Sequence, residues 1–134
     1  MKEKIVPEKG PKPAGPYSPG LRVNGFVFLS GQISADPHSG ELVNDSIESA
    51  TSRALENLKL VLEASGLSLN DIVKTTVFLR DMNDFAAMNE AYAKHFSDPP
   101  PARTTIQVAR LPRDARIEIE AIAIDPHHKY PFSK

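Results

Sequence analysis

Apolar positions along the chain recur first with a period of two, then with a period near 3.6, and the two patterns alternate to the end. Residues 21–23 and 26–29 read as strands joined at Asn24-Gly25, a dipeptide suited to tight hairpin turns because both central residues there take positive φ. From 46 to 65, Ile47, Ala50, Ala54, Leu58, Val61 and Leu62 fall on one helical stripe. Asp45, with Glu48 three residues on, reads as the capping box of that helix, and Gly66 as its stop. The run DIVKTTVFL, residues 71–79, is β-branched and predicts a strand. A second helix is expected after DMND, with Phe85, Met88, Tyr92 and Phe96 on its stripe, ending before Pro99. Two last strands are expected at about 104–108 and 116–124, joined by ARLPRDA.

Proline sets the limits of this pattern. Pro7, Pro11, Pro13, Pro16 and Pro19 exclude helix and central strand from residues 7–20, so residues 1–14 are expected as a proline-rich arm. DPHSGE, residues 36–41, reads as a turn, and residues 125–134 as an irregular tail. The order predicts one α+β domain over residues 1–134, a two-layer sandwich with two helices on one face of a single mixed sheet. The other face then needs an explanation. In 71–79, Val73, Thr75, Val77 and Leu79 point one way, and Ile72, Lys74, Thr76 and Phe78 the other, so both faces carry large apolar groups. A half-apolar uncovered face predicts a homo-oligomer.

Composition narrows the function classes more than the fold. The formal net charge of -1 argues against broad electrostatic capture of nucleic acid or an anionic membrane. The chain has no cysteine, which removes disulfides, thiol catalysis and thiolate metal sites together. MKEKIVPEKGPKP at the start is charged and proline-rich, with no apolar core of signal-peptide length. No apolar run approaches the length of a membrane span. The expectation is a cytoplasmic protein with neither a nucleic-acid nor a membrane partner.

Candidate chemistry lies in the segment PPPARTTIQVARLPRDARIEIEAIAI. Arg103 opens a strand after a rigid proline run, a setting that suits bidentate recognition of a carboxylate or phosphate. A surface ion pair is the plainer alternative. In the last strand Ile117, Ile119, Ala121 and Ala123 share one face, and Glu118, Glu120, Ile122 and Ile124 the other. A carboxylate beside Ile122 and Ile124 has either a raised pKa suited to proton transfer or an ordinary solvated edge position. Tyr17 in GPYSPG offers a hydroxyl from a rigid loop, or simply a packing ring. Ser30 and Gly31 in FLSGQI offer a close backbone approach, or a strand-end bulge. No serine has a His and Asp partnership evident in the sequence, and no glycine-rich phosphate loop is present. His38 reads as a solvated loop residue and His95 as structural, and His127-His128 lacks the spacing of a metal site.

These motifs, together with ALENLKLVLEASG and DIVKTTVFLRDMNDFAAMNEAY, closely resemble the Rid (reactive intermediate deaminase) family of imine and enamine deaminases. The resemblance runs from about Gly15 to Ile124. It implies a chorismate-mutase-like trimer whose sheets form an inner β-barrel core, with helices outside and active sites in clefts between subunits. It implies hydrolysis of small 2-imino and 2-enamino acids to 2-keto acids and ammonia, with no cofactor. Carried over, the carboxylate-binding arginine falls on Arg103, the acid near the attacking water on Glu118 facing the same cleft, and the loop tyrosine on Tyr17. Ser30, Gly31 and Asn89 fall on substrate-binding positions, as does Thr105, where deaminases often have cysteine. Glu120 has a counterpart without assigned chemistry, and Pro19 stands where many members have glutamine. The alternatives are a non-catalytic carboxylate sensor, a chaperone-like holdase and an endoribonuclease. The last is disfavoured by charge and by the lack of a basic aromatic stripe or a histidine pair.

Overall fold

Asn24 and Gly25 take φ of 47° and 82°, as the hairpin requires. They join β2 (Gly20–Val23) to β3 (Phe26–Ile33) in the computed structural model, which describes residues 1–129. With β1 (Glu3–Ile5), β4 (Ile72–Leu79), β5 (Ala102–Gln107) and β6 (Ile117–Ile124) they form one six-stranded sheet, ordered β1-β2-β3-β6-β4-β5. All pairings are antiparallel except β4 with β5, which are linked through α2 (Phe85–Ala93). A parallel pair needs such a crossover. With α1 (Ile47–Ala64), α2 covers one face, so the α+β sandwich with a mixed sheet is as expected. Leu55, Leu58 and Leu62 of α1 and Met88 of α2 meet Val27, Val77, Ile117 and Ile119 of the sheet in a core shut off from solvent.

Several local expectations need correction. The arm contains a strand: β1 adds to the sheet edge, with Ile5 opposite Gly20. A Cβ on Gly20 would lie 2.8 Å from Val61 Cγ1 and 3.2 Å from Ile5 Cβ, so glycine lets α1 and β1 close on β2 there. Ser46, not Asp45, caps α1: it is extended, and its Oγ accepts from Ser49 N at 3.0 Å. A bulge in the pairing of β4 with β6 falls between Ile72 and Lys74. It turns Ile72 into the core and leaves Val73 exposed, the reverse of strict alternation, while the rest of β4 keeps the expected faces. Finally, α2 stops at Ala93. Phe96 lies beyond it, its ring 4.7 Å from that of Tyr92, and Phe85 is largely exposed instead of buried on a core stripe.

The uncovered face keeps its predicted character. Phe26 and Phe28 of β3 and Ile106 of β5 stand exposed on it, and their cross-strand partners include Ile124, Ile122 and Phe78. The tail makes a turn over its described part, 125–129, and residues 130–134 lie outside the described residues. At its start Asp125 pairs with Arg22, which also donates to the Ser65 carbonyl and so ties the hairpin to the end of α1.

Candidate active site

Glu118 sits on the uncovered face of β6, opposite Ile33 of β3 and Phe78 of β4. The pairing of β3 with β6 shifts between Leu29 and Gln32, so Ser30 and Gly31 form a bulge beside it. A Cβ on Gly31 would fall 2.7 Å from Glu118 Oε2, closer than real side-chain atoms approach, so only glycine admits the carboxylate in this pose. The bulge is held from the arm: Ser30 N donates to the Pro19 carbonyl (3.0 Å), and Ser30 Oγ to the Ser18 carbonyl (2.6 Å). Proline at position 19 supplies that acceptor as well as any residue would.

The Glu118 carboxylate opens into a cavity of about 720 Å³ lined also by Tyr17, Pro19, Gly31, His38 and Arg113. Burial pushes its pKa above the ordinary carboxylate value, and the neighbouring negative charge of Glu120 adds to the shift. Arg113 and Asp114 both take positive φ, at 56° and 55°. That turn is clamped by Arg80 Nη1 on the Asp114 carbonyl (2.9 Å) and by Asn44 Nδ2 on the same oxygen (3.3 Å).

Arg103 occupies a different place. On β5 it pairs with Thr75 of β4, whose side chain is fully buried beneath the helices, so Arg103 points to the helix-covered side at the sheet edge. Its guanidinium carbon lies 4.8 Å from the Tyr92 ring centroid and 5.6 Å from that of Phe85, and Nη1 is 4.0 Å from Met88 Sδ. The Tyr92 hydroxyl is locked to Thr75 Oγ1 at 2.8 Å. Burial raises the Tyr92 pKa, partly offset by that hydrogen bond and by the Arg103 charge, so the phenol stays neutral. Among the described residues no carboxylate pairs with Arg103. A cleft of about 470 Å³ opens beside it, lined by Asn89, Tyr92, Phe96, Pro100 and Pro101. Asn89 Oδ1 and Thr105 Oγ1, on the same side of the sheet edge, are shut off from solvent with no hydrogen-bond partner. Ser34 Oγ, Thr51 Oγ1 and Arg116 Nε are open in the same way elsewhere in the fold, so it is the place of Asn89 in the wall of the Arg103 cleft that bears on ligand binding.

The sequence-predicted residues thus fall into two groups. Glu118, Gly31 and Tyr17 line one cavity and Arg103 and Asn89 another, with Thr105 two residues along β5 on the same face as Arg103 but not lining that cleft. Within one chain Arg103 and Glu118 line different clefts. The hydroxyl of Ser30 is engaged by the arm, and its side chain faces a third cleft with Lys74, Thr76 and Glu120. The aromatic cradle of Arg103 was not foreseen, because Met88 and Tyr92 read as ordinary core positions at helical spacing. His38 is exposed at the rim of the Glu118 cavity. His95 follows α2, with Nδ1 3.0 Å from the Ala91 carbonyl and Nε2 3.8 Å from Glu56. Among the described residues no cluster of His, Asp and Glu is placed to hold a metal ion, and no helix is long and apolar enough to cross a membrane.

The fold and these two half-sites define a class: a small α+β protein that offers a fixed cation on one face of its sheet and a half-buried carboxylate on the other. The chain belongs to the endoribonuclease L-PSP family, in which the Rid-type deaminases fall, and the family model matches residues 7–125. It is 54% identical over 123 residues to a RutC family protein of Pyrococcus horikoshii, covering 92% of this chain and 98% of that one. It is 45% identical over 127 residues to the 2-iminobutanoate/2-iminopropanoate deaminase of Salmonella typhimurium, covering 92% and 98%. Among solved structures it is similar to that of E. coli TdcF with bound serine, with a TM-score of 0.84 and 42% identity over 91% of this chain and 98% of that one.

Proposed function

We propose that the protein hydrolyses small 2-imino and 2-enamino acids to 2-keto acids and ammonia, in sites formed between protomers. The observation that carries this reading is the division of the machinery: an unpaired, aromatic-held guanidinium with open polar atoms around it, and a half-buried carboxylate on the opposite face. Each half lacks what the other holds. The exposed Phe26, Phe28 and Ile106 supply an apolar surface through which a second copy would cover the open face. A trimer closed around these faces, as the family resemblance implies, would set the Arg103 edge of one protomer beside the Glu118 cavity of the next.

In such a site Arg103 takes the substrate carboxylate with two charge-assisted hydrogen bonds, each typically worth about 1.5–3 kcal/mol. Asn89 and Thr105 supply the bonds their open atoms lack. An enamine first takes a proton at its terminal carbon to become the imine. Glu118 then accepts a proton from water as the oxygen bonds to the imine carbon, while the nitrogen gains a proton. The proton the nitrogen gains at that stage comes from water. Glu118 then returns its own proton to the nitrogen as the carbon–nitrogen bond breaks. The carbinolamine hydroxyl gives up its proton to water, so ammonia leaves and the keto acid remains. Its raised pKa suits both directions of transfer, and general acid–base help is usually about 10²–10⁴-fold. The likeness to the Salmonella deaminase, and to a relative solved with serine, a small amino acid carrying a carboxylate, supports this substrate class. The family's nuclease description is the weaker reading: among the described residues, the one histidine lining the Glu118 cavity is the exposed His38.

The test generates the imine in situ with an amino acid oxidase or a serine/threonine dehydratase and traps what remains with semicarbazide. The wild type should accelerate keto-acid release, and Arg103→Ala and Glu118→Ala should lose that acceleration. No acceleration by wild type across several imino acids would sink the deaminase reading and favour a carboxylate sensor.

A further inference from the structure

Asn57 is the polar side chain of α1 that the Glu118 chemistry does not account for. It is fully buried in the middle of the helix, where the pattern of its neighbours calls for an apolar residue. Its amide nitrogen donates to two carbonyls at the end of β3 and just beyond it, Ala35 at 2.8 Å and Ile33 at 3.1 Å. Its Oδ1 accepts from Arg53 Nε at 3.2 Å, so every polar atom of the amide is used.

Both acceptors belong to the segment that lines the Glu118 cavity. Ile33 is the cross-strand partner of Glu118 itself. Gly31, Gln32, Ile33 and Ala35 all line the cavity, whereas Asn57 lies on the helix side of the sheet and lines none of it. The bulge is therefore pinned at two points. On its outer side Ser30 is held by Ser18 and Pro19, and at its far end Ile33 and Ala35 are held by Asn57. Between the two anchors Gly31 presses against the Glu118 carboxylate, with 2.7 Å from its absent Cβ to Oε2. Buried carbonyls at the end of a strand need partners, and here a single side chain of α1 serves two of them.

We propose that Asn57 is a positioning residue for Glu118: from α1 it fixes the end of β3 so that the Ser30-Gly31 bulge holds the carboxylate in its half-buried pose. The catalytic consequence rests on the deaminase reading; the positional one does not. Loss of the amide would let residues 33–35 withdraw, admit water over Gly31 and free Glu118 to move. The charged and titratable groups that line the Glu118 cavity are Glu8, Lys12 and Tyr17 from the segment before β2, Asp36 and His38 from the loop after β3, and Arg113 from the turn before β6, with Glu120 beside it on β6. None of them is bonded to Asn57, so a change in Glu118 on altering Asn57 must pass through the backbone of β3.

The experiment follows the Glu118 carboxyl by carbon NMR across a pH titration of the full chain, its signal identified by its absence in Glu118→Gln. Wild type is compared with Asn57→Ala and with Leu62→Val, a core-thinning control toward the C-terminal end of α1. Asn57→Ser, which keeps one donor, replaces the alanine variant if that does not fold. The expected result is a Glu118 midpoint displaced downward in the Asn57 variant and unchanged in the control. It comes with a fall in kcat of about tenfold to a hundredfold and a KM within about twofold of wild type. A Glu118 midpoint that matches wild type in the Asn57 variant overturns the proposal. Full turnover by Glu118→Gln would instead overturn the catalytic reading of Glu118, and the midpoint comparison would still decide the role of Asn57.

Discussion

Arg103 and Glu118 point to opposite faces of one sheet. The register shows it: Arg103 lies opposite Thr75 and Thr105 opposite Val77, while Glu118 lies opposite Phe78, one residue out of phase. Thr75 and Val77 are buried beneath the helices, and Phe78 is on the open side. No side-chain rotation carries a guanidinium through a sheet. A reaction that uses both residues on one substrate would therefore have to draw them from two copies of the chain.

Gly31 should separate stability from activity. The group that an added methyl would meet is the flexible end of Glu118, not backbone. Gly31→Ala is therefore expected to change stability by less than about 1 kcal/mol, with the carboxylate displaced and turnover reduced at least about tenfold. Thermal unfolding and steady-state imine hydrolysis on the same preparation check this.

Glu118 should oppose stability while it serves function. Its pKa is raised on folding, by burial first and then by Glu120, so the native state holds the proton more tightly than the unfolded chain. The protonated group favours the fold below the unfolded value near 4.5, and that contribution is lost as pH rises through the folded value. At neutral pH the ionised carboxylate is a net cost, so Glu118→Gln should raise Tm there, with the gain shrinking toward zero in acid. The same shift places the acid limb of kcat/KM above the ordinary carboxylate range, because the ionised form is the proton acceptor. Melting curves across pH and a pH–rate profile test both signs.

Tyr92 should act on substrate binding through Arg103. Its ring carries the guanidinium at 4.8 Å, a contact worth about 0.5–2 kcal/mol. Tyr92→Leu is expected to raise KM several-fold, with a smaller effect on kcat. Tyr92→Phe keeps the ring and strands the buried Thr75 hydroxyl, so its main effect should be a stability loss of about 1 kcal/mol. Thr75→Val combined with Tyr92→Phe should recover part of that loss, which a double-mutant cycle in unfolding free energy measures.

Much of this was legible in the sequence because it depends on local periodicity. The alternation in 117–124 put Glu118 and Glu120 together on the face opposite Ile117 and Ile119, and Asn24-Gly25 marked the hairpin. The bulge at Ile72 was not legible, and the one at Ser30-Gly31 was only one of two readings, since a shift in register is decided by the neighbouring strand: Ile72 is drawn into the core and Gly31 beneath Glu118 only because β6 runs alongside. The opposite facing of Arg103 and Glu118 was hidden for a related reason. It depends on β4 lying between β5 and β6, and nothing within either segment states that order. Asn57 was passed over inside a helical stripe, because its partners Ile33 and Ala35 lie 24 and 22 residues away.

The most direct measurement mixes two inactive variants. Arg103→Ala and Glu118→Ala are prepared separately with distinct tags, unfolded, refolded together and purified on both tags in sequence, so that only mixed oligomers remain. If each site takes Arg103 from one protomer and Glu118 from another, some interfaces in every mixed oligomer carry both native residues. Imine hydrolysis should then return to about a quarter or more of wild type per chain. Mixed oligomers as inactive as the separate variants would contradict the account, because the two residues would not then meet across an interface.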